Sequence, residues 1–132
     1  MNKKFIIEQC RRLDSIHRKE SEEVELENDL DCKWILVHNQ GHKDLIDRFE
    51  KFLGNTHSTD KKDYIKWLKK NMKEANNIIK SLDEKYNNFY NDEIMSEKDD
   101  VIYNLNVGIV CISNTLLDVI YKRRYISKIK IS

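Results

Sequence analysis

The chain has 132 residues, 24 Lys and Arg against 23 Asp and Glu, and a formal net charge of +1. That length suits one domain, 1–132, with a modest core, and that balance supplies no global field to draw the protein onto nucleic acid or a membrane. Charged residues make up 36%, proline is absent and glycine occurs three times, which excludes a turn-rich β fold and favours helices with a wide solvated surface.

From the N-terminus, Ile6, Cys10, Leu13 and His17 recur at spacings of three and four and mark one helical face. The chain turns polar after Ile7, too early for a signal-peptide core. The segment Glu20 to Asp31 holds seven acidic residues and no basic one. Val24, Leu26, Leu30, Cys32 and Trp34 fit both helical and alternating spacing there; helix is the expectation. Asn39-Gln40-Gly41 reads as a turn. A short helix follows on Leu45, Ile46, Phe49, Phe52 and Leu53, closed by Gly54-Asn55, with Gly54 suited to the left-handed conformation of a helix end.

After a polar loop over 55–60, Asp60 is placed as the N-cap of the next helix. Ile65, Leu68, Met72, Ala75, Ile79, Leu82 and Tyr86 then form an apolar stripe, and predict a helix over 60–86. Asn87-Asn88 and Asn91-Asp92 mark a break. Ser96 with Asp99 resembles a capping box and opens a helix over 96–124. Its seam is Ile102, Leu105, Ile109, Ile112, Leu116 and Val119, with Tyr103, Val110, Leu117 and Tyr121 on a second face. Residues 101–117 carry no charge at all, so this segment must be shielded on most sides. It is short for a bilayer span and holds three asparagines, so no membrane span is expected. The tail from Tyr125 alternates weakly, as a short strand would. The predicted fold is all-α, a small bundle of four or five helices with 60–86 and 96–124 as its two long members.

Charge segregation is the strongest functional pointer. Lys62, Lys66, Lys69, Lys73 and Lys80 fall on one line of the 60–86 helix, away from its apolar stripe. The ridge is about 27 Å long at 1.5 Å per residue. Like charges at i,i+4 repel slightly, so helix stability does not ask for this pattern. A second basic cluster comprises Lys122, Arg123, Arg124, Lys128 and Lys130 around Tyr125. The leading expectation is a binding protein that regulates or inhibits a protein partner with an acidic surface. It would use the five lysines with Arg123 and Arg124. The alternative is a nucleic-acid-binding regulator on the same residues, which includes a helix-turn-helix with its turn near Gly108. The hydrophobic excess on 101–121 favours a two-fold homodimer.

Three widely spaced cysteines, Cys10, Cys32 and Cys111, form no disulfide framework and suggest reduced thiols in a cytoplasmic protein. Abundant Lys, Asn, Ile and Tyr match an AT-rich genome, such as that of a phage or mobile element. His38, His42 and His57 with Cys32 or Asp44 are the residues available for a metal. A turn at Gly41 separates the first two, so no metal or cofactor is expected. Arg12 and His17, four residues between them, resemble the Arg-x4-6-His motif of HEPN ribonucleases, small helical dimers that cut RNA. Only those two residues match, and Leu13 stands where that family usually has a polar residue. The resemblance implies His17 as proton carrier and Arg12 as stabiliser of the phosphorane charge. With no glycine-rich loop and no nucleophile context, the chain is expected not to be an enzyme.

Overall fold

Helices dominate because nothing in the chain interrupts them: apolar residues recur every three to four positions and no proline breaks a ladder. A computed structural model describes residues 2–27, 33–86 and 95–122. Among these the chain is an all-α bundle of four helices: α1 (Lys3–Glu27), α2 (Lys33–Asn55), α3 (Lys61–Lys85) and α4 (Glu97–Lys122). The predicted break at 87–92, Leu30, Cys32, Arg123, Arg124 and the tail lie outside the described residues.

Local chemistry fixes the helix starts. Asn2 Oδ1 accepts from the Lys4 N–H at 2.8 Å, and Asp60 Oδ1 accepts from the Lys62 N–H at 2.9 Å. Ser96 Oγ accepts from the Asp99 N–H at 3.2 Å, which is half of the expected capping box. The Asp99 carboxylate turns elsewhere: it accepts from Lys85 Nζ and from the Tyr86 hydroxyl, both at 2.7 Å. These bonds join the end of α3 to the start of α4. They also hold the Asp99 carboxyl below its usual range.

The centre of the bundle is the pair α2 and α4, with α1 packed on α2 and α3 on α4. Two glycines set how closely that central pair approaches. A Cβ at Gly41 would overlap the carbonyl oxygen of Leu105 and lie 3.3 Å from the Ile109 nitrogen. A Cβ at Gly108 would overlap the carbonyl oxygen of His38 and lie 3.3 Å from the His38 Cα. The two backbones therefore meet directly, each at the other's glycine.

This arrangement corrects the sequence reading at three points. Asn39-Gln40-Gly41 is not a turn but the interior of a 23-residue helix, because Gly41 is spent on the crossing rather than on a change of direction. Gly108 makes no break in α4, which removes the helix-turn-helix variant placed there. Gly54 does not adopt a left-handed backbone, and a Cβ there meets nothing within 4 Å; α2 simply runs to Asn55.

Around the crossing, Ile6, Leu45, Phe49, Leu53, Tyr64, Leu68, Ile112, Leu116 and Ile120 are fully buried. Trp67 stacks on both Phe49 and Phe52, with centroids 5.3 Å apart in each pair, and so ties α3 to α2. On α3 the buried line is Tyr64, Leu68, Ala75 and Leu82. Ile65, Met72 and Ile79 of the expected stripe are only half-buried. The helix is rotated because Tyr64 goes inside, its hydroxyl donating to the Ser58 carbonyl at 2.6 Å. On α4 the expected seam is buried from Ile109 onward, while Ile102 and Leu105 are half-buried. By length and composition α4 is apolar enough to cross a membrane; in this bundle its buried faces are covered by α2 and α3.

In an ordinary helix interior, glycine to alanine stabilises by about 1 kcal/mol. Here the sign should invert. Gly41→Ala and Gly108→Ala are each expected to destabilise by about 1–3 kcal/mol or more, since backbone must move. Gly54→Ala, in open space, should be neutral or slightly stabilising. Urea denaturation of the three variants checks the contrast.

Candidate functional site

Two groups of polar side chains stand out once the bundle is assembled. The first is the lysine line of α3. Lys62, Lys66, Lys69, Lys73 and Lys80 are all exposed, because the buried line through Tyr64 and Leu82 lies about 150° around the helix from them. None of the five forms an ion pair with a described carboxylate. Lys69 Nζ lies 5.7 Å from the centroid of the Tyr121 ring, so one member of the row leans toward α4. Helix α1 packs mainly on α2, and its acidic residue Glu20 meets Asn39 there. Lys122, the one described residue of the second basic cluster, is 3.6 Å from Asp118.

The second group was not assembled from the sequence. Because α2 is continuous through Gly41, Trp34, His38 and His42 share one face at spacings of four. Their rings follow one another edge to face, with centroids 6.5 Å apart for Trp34–His38 and 4.5 Å for His38–His42. His17 of α1 completes the row 3.9 Å from His42. Beside it, Asn39 Nδ2 donates to Glu20 Oε1 at 2.7 Å and to Ser21 Oγ at 3.1 Å, which ties α2 to α1. Arg18 and Lys43 border a cleft of about 370 Å³ along this seam, with Asp14, His17 and Glu25 also in its wall.

His42 is 5% exposed, and neither of its ring nitrogens has a hydrogen-bond partner within the protein. A neutral imidazole carries one N–H and one lone pair, so both stay unmatched in a place where either would ordinarily be satisfied. Burial first, and then the neighbouring His17 and His38, push the His42 pKa down from 6.5 to about 3. Burial also lowers His17 and His38, against the opposing pull of Glu20 on both. All three rings are thus held neutral near pH 7.

The histidines set apart by sequence reasoning are redistributed. His38 and His42 meet His17 rather than His57, which is exposed in the loop before α3. Asp44 pairs with Arg48 at 3.1 Å. Among the described residues no group of three or more His, Cys, Asp and Glu is placed to hold a metal. Arg12 and His17 point about 140° apart on α1 at 100° per residue. Arg12 pairs with Glu8 at 2.7 Å while His17 turns into the α1–α2 seam. Cys10 is buried and Cys111 exposed, both as free thiols; burial with nearby Glu50 and Asp14 raises the Cys10 pKa strongly. Comparison with known proteins finds no protein family, curated protein or solved structure that matches the chain.

The histidine row makes folding pH-dependent with a definite sign. The unfolded chain binds protons on His42 below about pH 6.5, whereas the folded chain resists them down to about 3. Stability should therefore be unaffected above pH 6.5 and fall by about 1.4 kcal/mol per pH unit between the two values. Between pH 6.5 and 5.0 His42 alone accounts for a loss of about 2 kcal/mol. Urea midpoints measured at pH 7.5, 6.5 and 5.0 test this.

Proposed function

We propose that the chain is a small helical binding protein that regulates or blocks a protein partner by laying the α3 lysine ridge on an acidic surface. The observation that carries the reading is the row of five exposed ammonium groups, none within 4 Å of a described carboxylate oxygen. Apart from the contact of Lys69 with Tyr121, the row does not help the bundle: the spacings of four put like charges side by side, which costs a few tenths of a kcal/mol per pair. A partner rich in Asp and Glu would turn that repulsion into attraction and speed encounter.

A protein partner is favoured over nucleic acid because the chain as a whole is nearly neutral and so has no global field to draw it onto a polyanion. Arg123 and Arg124 remain proposed as a continuation of the basic surface. The reading implies no catalysis and no cofactor, and it places the protein in the cytoplasm.

The same reading includes a homodimer. One face of α4 is left open: Val101, Cys111, Asn114 and Tyr121 are exposed, with Asn104 and Val107 half-buried between them. This stripe repeats at spacings of three and four and is free of charge until Asp118, so a second copy is its natural cover.

Two experiments test these proposals. Replacing Lys62, Lys66, Lys69 and Lys73 by Glu should leave the urea midpoint nearly unchanged while reducing binding to a labelled polyglutamate peptide at least about tenfold. A 20-base-pair DNA duplex and a single-stranded RNA serve as competitors, read across a salt titration. Stronger, steeply salt-dependent binding to either nucleic acid transfers the ridge to the alternative, and no binding to any probe removes it. Cys111 lies near the middle of α4, so two antiparallel copies bring their thiols together. Mild oxidation should yield a disulfide-linked dimer that Cys111→Ser abolishes. A monomer in sedimentation at high concentration contradicts the dimer.

A further inference from the structure

We propose that His17, His38 and His42 form a proton-operated latch between α1 and α2: the seam is closed while the imidazoles are neutral, and proton uptake in mildly acidic surroundings frees α1 while the α2–α4 pair stays formed. The geometry is a row of three rings spanning two helices, with centroids 3.9 and 4.5 Å apart. Its central member is buried and makes no hydrogen bond. An imidazolium needs two acceptors. His42 has none, so a charge there finds neither a partner nor water.

The charged groups around the row decide what happens first. From α1, Asp14, Glu20, Glu25 and Arg18 border the seam; from α2, Lys43 does. Glu20 already accepts from Asn39, and Glu20 and Asp14 favour a charged His17. From α4 comes no charge, because 101–117 contains none, and α3 packs on α4 rather than on this seam. Burial still disfavours a proton on His17, but Glu20 and Asp14 partly offset that penalty, so the first proton goes there. A second, on His42, meets the charged His17 ring at 3.9 Å and has no acceptor of its own; on His38 it is drawn by Glu20 but opposed by burial. The release is expected to need more than one proton and to be correspondingly steep.

What lets go is also set by the fold. The latch joins α1 to α2, and α1 has little contact with α4. The α2–α4 pair is held instead by the reciprocal glycine crossing and by Ile109, Ile112 and Leu116. Helix α1 also places Ile6, Cys10 and Leu13 in the core beside α2, so its release from a retained α2–α4 pair is a sub-global opening that exposes those three side chains.

The test follows amide hydrogen exchange in the full chain at pH 7.5 and 5.0, corrected for the intrinsic rate. The amides of Ile6 to His17 should lose protection by at least about tenfold, while those of Ile109 to Leu117 keep theirs. His42→Phe, which leaves no nitrogen unmatched, should erase the change in α1. Equal loss in α1 and α4 overturns the proposal, since it describes global acid unfolding; so does no loss in either, or an undiminished loss in His42→Phe. Should that variant fail to fold, the wild-type imidazole NMR signals replace it. Uptake of more than one proton by His17, His38 and His42 at the pH where α1 opens supports the latch. One-proton titration of His42 near the ordinary imidazole value of about 6.5, with α1 still protected, overturns it.

Discussion

Two backbones touching at a pair of glycines govern this protein. Without a Cβ at Gly41 and Gly108, α2 and α4 approach until the chain of one lies against the carbonyl groups of the other. That approach brings Leu45, Ile46 and Phe49 into register with Ile109, Ile112 and Leu116 as a single core. The crossing sits within one long helix, α2, which runs unbroken through Gly41. A turn at Gly41 would have placed His38 and His42 in different elements; continuity puts them on one face, where His17 of α1 can reach them. The core and the histidine row are consequences of the same close crossing.

The structure then sorts its polar residues into two populations. The α3 lysines face water because Tyr64 and Leu82 face inward, and within the described bundle no acid answers them. The histidines face inward because α1 closes over α2. The first population is an exposed row of like charges on one face of α3. The second has charge suppressed by burial, and its neutrality is a condition for α1 remaining in place. The two lie on different helices, so a change in one need not disturb the other.

Much of the architecture could be read in the sequence. The apolar periodicity of Ile65 to Leu82 and of Ile109 to Val119, the Asp60 cap and the absence of proline led to two long helices, found as Lys61–Lys85 and Glu97–Lys122. The histidine row was lost at one residue. Asn39-Gln40-Gly41 reads as a turn because Asn and Gly cluster at turns, yet the two are not adjacent as a tight hairpin turn requires. The run Trp34, His38, His42, Leu45, Phe49 and Leu53 keeps helical spacing straight through it. A glycine inside an unbroken periodic face signals close packing as readily as a turn, and Gly108 on the partner helix was the matching half. The inward rotation of Tyr64 had no such signal. It depends on a hydroxyl meeting the Ser58 carbonyl, a contact that exists only once the loop before α3 has formed.

The most direct measurement is therefore at the crossing itself. In isotopically labelled protein, nuclear Overhauser spectra should show cross-peaks from the Gly108 Hα to the His38 Hα and from the Gly41 Hα to the Ile109 amide proton. Such peaks require the two backbones to be in contact. Their absence, with α2 and α4 still helical by chemical shift, would mean that the helices are held apart by side chains, and the continuous core and the histidine row would lose their common cause.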